Sequence, residues 1–246
     1  MRYFIEFSYF GKGYHGWQSQ PNAITVQEIL EKAMTTLLRT KISVLGAGRT
    51  DAGVHAKQMF AHFDVDEPIA TGEFMQRLNS FLPEDIAVHD VVGVKPNAHA
   101  RFDATARTYE YWIVQSKNPF YMETAYFIWS PLNIEAMNRA AIILKEYDDF
   151  ECFSKSNTDV KTFICQIKEA TWKREADKLV FTITADRFLR NMVRAIVGTL
   201  LEVGLGKKSP EEIRLVLESK DRSKAGVSVP AKGLYLTKVS YPEDIF

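Results

Sequence analysis

Residues 2–10 alternate. Tyr3, Ile5, Phe7 and Tyr9 interleave with Phe4, Glu6, Ser8 and Phe10. A period of two predicts a strand, and apolar residues in both registers predict that both of its faces are covered. Gly11-Lys12-Gly13 ends it, and a loop follows through Gly16-Trp17-Gln18 and Pro21-Asn22. The period then changes. Thr25-Val26-Gln27-Glu28 has the form of a capping box, in which the threonine hydroxyl accepts from the third amide on and Glu28 reaches back. Val26, Ile29, Leu30, Ala33, Met34, Leu37 and Leu38 recur at helical spacing, which predicts a helix with one core face. Strands are predicted at 42–45, 58–65 and 87–94, and a helix at 73–82 that Pro83 stops.

The pattern restarts after Arg107. A strand is predicted at 108–115, then a helix capped by Asn133 and carrying Ile134, Met137, Ala141 and Leu144. Strands are expected at 161–174 and 178–185. A helix is expected at 189–203, with Met192, Val193, Ile196, Val197, Leu200 and Leu201 on its core side and Gly204 as its stop. Ser209-Pro210-Glu211-Glu212 signals another helix start, with proline at the first helical position. The last strand is predicted at 233–241. Strand–helix–strand–strand–helix–strand, followed by a similar second series, predicts an α+β fold with a mixed, mainly antiparallel central sheet. Two halves are expected, 1–100 and 101–246, meeting in the segment 97–107.

Composition narrows the function classes. At 246 residues, with 46% hydrophobic and 25% charged content, the chain reads as an ordinary globular protein with a sizeable core. No stretch approaches the roughly 18 apolar residues of a membrane helix, and Arg2 and Glu6 interrupt the start too early for a signal peptide. The two cysteines, Cys152 and Cys165, lack metal-type spacing and are expected to be reduced, in the cytoplasm. Lys plus Arg and Asp plus Glu both number 31, so any nucleic-acid contact must come from local clusters of cations. Arg187, Arg190 and Arg194 form one cluster, and Arg101 and Arg107 a smaller one. A solvated helix face is the competing reading of such a run.

The candidate chemistry lies in Gly46-Ala47-Gly48-Arg49-Thr50-Asp51-Ala52-Gly53-Val54-His55-Ala56. Small residues free the backbone to turn and let a ligand approach. If the segment is extended, Arg49 and Asp51 face the same side. A guanidinium nearby favours the ionised carboxylate, which can serve as nucleophile or base. A structural Arg–Asp pair bracing a turn accounts for the same residues equally well. His55 is expected to be a hydrogen-bonded turn residue and His62 to be packed or at an edge. No metal-ligand spacing, phosphate loop or dinucleotide fingerprint occurs, so neither metal nor cofactor is expected.

Residues 46–56 resemble the central motif of the tRNA pseudouridine synthase A family, bacterial enzymes that modify the anticodon stem-loop. Further blocks extend the resemblance over most of the chain. Gly16-Trp17-Gln18-Ser19-Gln20-Pro21 with Thr25-Val26-Gln27 resembles the N-terminal block, and His99-Ala100-Arg101-Phe102-Asp103-Ala104 with Arg107-Thr108-Tyr109-Glu110-Tyr111 the middle one. Phe188-Leu189-Arg190-Asn191-Met192-Val193-Arg194 with Ile196-Val197-Gly198 resembles the third, and Gly233-Leu234-Tyr235-Leu236 the last.

The resemblance implies isomerisation of uridine to pseudouridine at positions 38, 39 and 40 of tRNA. It implies Asp51 as the catalytic carboxylate, Tyr109 stacked on the flipped uracil, Arg194 paired with Asp51, and Arg49 entering the RNA beside the flipped nucleotide. It also implies two ferredoxin-like halves related by a pseudo-two-fold, a homodimer and no cofactor. Ser19, Lys57 and Ala231 depart from residues common in the family, which bears on RNA contact and not on the reaction. Two other readings are a catalytically inactive RNA-binding homologue and a pseudouridine synthase acting on a different RNA.

Overall fold

The structure, a computed structural model, describes residues 1–155 and 160–246. The chain divides into two compact units, Met1–Thr105 with Tyr235–Phe246, and Ala106–Leu234.

In the first unit, β1 (Arg2–Tyr9) lies between β3 (His55–Asp64) and β4 (Ile86–Val94), antiparallel to both. The short β2 (Leu45–Gly46) pairs antiparallel with β3 at its outer edge. The resulting order β4-β1-β3-β2 is that of a ferredoxin-like unit. β9 (Leu234–Ser240) runs parallel to β3, with Tyr235 opposite His55 and Leu236 opposite Ala56. Helices α1 (Val26–Leu38) and α2 (Thr71–Phe81) pack against each other, and α2 also packs on β4. The Thr25 hydroxyl caps α1 by accepting from the Glu28 amide at 3.4 Å. Both faces of β1 are covered, as its composition predicts. Ile5 and Phe7 are fully buried, and on the other face Phe4 meets Phe60, Tyr241 and Phe246 edge-on or tilted.

The second unit carries the antiparallel order β7-β8-β5, formed by β5 (Ala106–Val114), β7 (Ile167–Glu175) and β8 (Lys178–Ala185). β6 (Tyr126–Phe127) adds a short parallel edge to β5. Helix α3 (Ile134–Ile143), capped by Asn133, packs on β7 and on α4 (Met192–Gly204). α5 (Glu212–Ser219) starts two residues after Pro210, although Glu212 does accept from the Ser209 amide. The fold class is therefore α+β, with a mainly antiparallel mixed sheet. Cys152 and Cys165 are free and buried, and burial pushes both thiols up to about 12. Among the described residues, no helix is long and apolar enough to cross a membrane.

Of the predicted boundaries that move, three do so for a visible reason. The strand expected at 42–45 shrinks to β2 because side chains of α1 take its amides: Ile42 donates to Thr35 Oγ1 and Val44 to Glu31 Oε1. The strand expected from 161 begins at Ile167, because Phe163 and Cys165 bond instead to Phe150 and Asp148. The helix expected from 189 begins at Met192, because Asn191 takes a left-handed φ of 66°.

Candidate active-site residues

Asp51 lies in a loop between β2 and β3 that neighbouring segments hold by backbone bonds. The Trp17 amide donates to the Thr50 carbonyl at 3.3 Å, and the Gly53 amide to the Tyr14 carbonyl at 3.2 Å. Within the loop the Val54 amide closes a turn on the Asp51 carbonyl at 3.1 Å. Tyr9 Oη and Thr50 Oγ1 are 2.8 Å apart. Two glycines make this contact possible. Gly16 has a φ of +93°, and a Cβ there would sit 2.4 Å from the Thr50 oxygen. A Cβ on Gly11 would sit 1.9 Å from the Val54 oxygen. Gly11 and Gly16 thus let their own backbone close on the loop, which leaves Asp51 half-buried and Arg49 exposed. Because regular pairing stops at Gly46 and resumes at His55, period-two alternation does not govern the directions of Arg49 and Asp51.

His55 is a structural residue of that loop's exit. Its Nδ1 accepts from the Gly11 amide at 2.9 Å, and its ring stacks on Phe10 at 4.4 Å and tilts against Tyr235 at 4.8 Å. His62 is packed, with Nδ1 accepting from the Ala100 amide at 3.2 Å. Burial pushes its pKa down to about 4.

The remaining two assigned residues belong to the second unit. Tyr109 stands on β5 opposite Ile183, and its ring meets Phe188 edge-on at 5.1 Å. Arg194 is in the first turn of α4. Its Nε donates to the Val229 carbonyl at 2.7 Å, and the Val229 amide returns a bond to the Arg194 carbonyl at 3.2 Å. Segment 226–229 crosses α4 at very short range: a Cβ on Gly198 would lie 1.9 Å from the Val227 oxygen. Gly226 also donates to Thr199 Oγ1 at 2.8 Å. Ser228 Oγ accepts from Asn191 Nδ2 at 2.6 Å and from Arg222 at 2.9 Å. Sequence reasoning missed this strap. Its only sequence signal was a glycine inside a helical pattern, which asks for a packing reason.

The other arginines differ in role. Arg187 Nη1 reaches the Thr162 carbonyl at 3.4 Å, and Arg107 Nη1 the Asp186 carbonyl at 2.9 Å. Arg190 is exposed. Arg187 and Arg190 precede α4, so the run is not a solvated face of that helix. Among the described residues, no group of three or more His, Cys, Asp or Glu is placed to hold a metal ion.

The sequence model described as tRNA pseudouridine synthase matches residues 6–103 and 141–242. The chain is 56% identical over 246 residues to tRNA pseudouridine synthase A of Parabacteroides distasonis, covering 100% of this chain and 98% of the relative. The same protein of Bacteroides fragilis is 56% identical over 247 residues, with 100% and 98% covered. That of Porphyromonas gingivalis is 51% identical over 249 residues, with 100% and 99% covered. The chain belongs to the tRNA pseudouridine synthase family.

Proposed function

We propose that this chain isomerises uridine to pseudouridine at positions 38, 39 and 40 of the tRNA anticodon stem-loop, as a cytoplasmic homodimer. The observation that carries the reading is the 56% identity to relatives named tRNA pseudouridine synthase A over the whole chain.

The reaction balances within the substrate. The C1′–N1 bond breaks, the uracil rotates, and a C1′–C5 bond forms. C5 gives up its hydrogen as a proton, and N1 acquires one. Nothing is oxidised and no group is added, so no cofactor is required. The target base must leave the helix before both C1′ and C5 can be reached, at a cost of a few kcal/mol. Tyr109 receives the uracil on its ring, and stacking offsets part of that cost. Arg49 fills the space the base leaves. Asp51 acts on the sugar or on a proton while the base is detached. Arg194 holds that carboxylate ionised and aimed by a charge-assisted hydrogen bond. The tie from Arg194 Nε to Val229 supports this role, because it restrains the guanidinium on one side.

The test uses tRNA carrying tritium at uracil C5. Purified protein is expected to release label to water, and Asp51→Ala to release none above background. Release that persists in Asp51→Ala removes Asp51 from the chemistry. No release from any tRNA favours an inactive RNA-binding homologue. Mapping pseudouridine in RNA from a strain lacking the protein is expected to show loss at positions 38–40; loss elsewhere points to a different RNA target.

A further inference from the structure

The first unit carries an open groove of about 290 Å³ that the reaction as described touches only through Arg49. Its lining includes Trp17, Gln18, Arg49, His99, Arg101 and Phe102. Two of these are permanent cations, and no carboxylate lines it. Such a lining selects an anion. Asp51 is outside the lining.

The rim is built and held. Phe102 is 75% exposed, yet its position is fixed by a tight turn. The His99 amide donates to Asp103 Oδ2 at 2.7 Å, and the Asp103 amide to the His99 carbonyl at 3.1 Å. His99 Nδ1 accepts from the amides of Arg101 at 3.1 Å and Phe102 at 3.3 Å. A ring nitrogen accepting from backbone N–H groups carries no proton, so the ring proton of neutral His99 is on Nε2, where it is a donor. Burial and the Arg2 charge lower the pKa of His99, which favours this neutral form. The His99 ring supports Phe102 from one side at 4.2 Å, and the Arg101 guanidinium lies 5.9 Å from the Phe102 centroid. A preorganised, exposed aromatic beside cations is how proteins bind unpaired nucleotides. The ring takes a base face at low entropic cost, and the cations take the phosphate.

We propose that this groove holds one unpaired nucleotide of the substrate RNA other than the target uridine, its base stacked on Phe102 and its phosphate on Arg101. The inference rests on tRNA being the substrate. Because Arg49 lines the groove and belongs to the Asp51 loop, the nucleotide is a near neighbour of the target in the chain. A seated neighbour would fix the register of the RNA on the protein, so the groove sets affinity and choice of position and leaves the chemical step alone.

The test compares wild type, Phe102→Ala, Phe102→Trp and Arg101→Ala by tRNA binding across a salt series, and by tritium release at saturating tRNA. Phe102→Ala is expected to weaken binding about tenfold with the salt slope unchanged, and Phe102→Trp to restore it. Arg101→Ala is expected to reduce the slope of log K against log salt by about one. All three are expected to keep the saturated rate within about threefold of wild type, as a binding role requires. Phe102 and Arg101 are exposed, so these substitutions leave the core untouched. Wild-type affinity and slope in both Phe102→Ala and Arg101→Ala would falsify the proposal. If wild type itself releases no label, it is the substrate reading that fails, not the groove. Uridine 5′-monophosphate supplies the same base and phosphate free in solution. It is expected not to compete at micromolar concentration; Phe102-dependent competition there would assign the groove to a free nucleotide.

Discussion

A carboxylate that works on a sugar carbon must be placed to within a fraction of an ångström, and a loop is a poor place to do that unless its backbone is tied down. The Asp51 loop is tied on both sides of the aspartate: Thr50 to Trp17 and Tyr9, Gly53 to Tyr14, and Val54 to Asp51 itself. Gly16 is the point where that restraint is most exposed to mutation. Alanine there would hold a strained φ and would push on the Thr50 oxygen from 2.4 Å. Gly16→Ala is therefore expected to lower stability by about 1–3 kcal/mol. It is also expected to lower the saturated rate of tritium release several-fold more than it weakens tRNA binding. Urea denaturation and single-turnover kinetics check the two parts separately, and a variant with wild-type rate would show that the Thr50 contact does not govern Asp51. At this scale the sequence was half legible. The run of small residues around Asp51 announced a loop, and His55 is hydrogen-bonded as expected, although it stands at the first position of β3 and not in the turn. The residues that hold the loop were not legible, because Tyr9, Tyr14 and Trp17 reach it from more than 30 positions away.

Among the elements, periodicity served best where backbone bonds alone decide. β8 falls at the predicted bounds, and α3 begins after the predicted Asn133 cap. It served worst where a side chain or a glycine substitutes for a ladder bond. Gly204 shows why. A glycine after an apolar helical run reads as a stop, and the helix does end at Gly204, but as its last helical residue and not as a left-handed cap. Its missing side chain makes room for Met137, whose sulfur would lie 2.4 Å from a Cβ there. The left-handed glycine is Gly206, with φ +71°. Gly198 has a similar packing role with a sharper consequence, because the strap it admits also bonds Arg194 through Val229. Gly198→Ala is expected to lift the strap and cost about 2–4 kcal/mol, in the range of overpacked buried sites. If the strap aims Arg194, the saturated rate falls together with stability, whereas Val227→Ala, at an exposed side chain, leaves both near wild type. Equal rates in Gly198→Ala and wild type at a temperature where both are folded would separate the strap from catalysis.

For the molecule as a whole, zero formal net charge hides local arrangements that respond to pH. One joins three parts of the first unit. Arg2 of β1 forms a paired bond to Asp64 of β3 through Nε and Nη2, at 2.9 and 2.8 Å, and donates through Nη1 to the Ala98 carbonyl. His62 of β3 lies beside this pair, 3% exposed, with His99 edge-on at 4.5 Å. Burial first, then His99 and Arg2, lower its pKa from 6.5 to about 4, against smaller raising effects of Asp64 and Asp103. In the unfolded chain the imidazole takes a proton near pH 6.5; in the folded protein it refuses one until about pH 4. Stability is therefore intact above pH 6.5 and declines as pH falls from 6.5 towards 4, by on the order of 2–3 kcal/mol from this residue. The Arg2 bond lowers the Asp64 pKa below its ordinary 3.8, so the stability of that pair is lost only at lower pH, outside the histidine window. His99 is shifted in the same direction as His62 and steepens the decline. The urea midpoint is thus expected to fall steadily between pH 7 and pH 4.5. In His62→Gln, which keeps an acceptor for the Ala100 amide, the decline is expected to be shallower, with only the His99 part remaining. A wild-type midpoint that stays level over that interval would mean that His62 takes up its proton in the folded protein, and that the Arg2–Asp64 cluster opens to admit it.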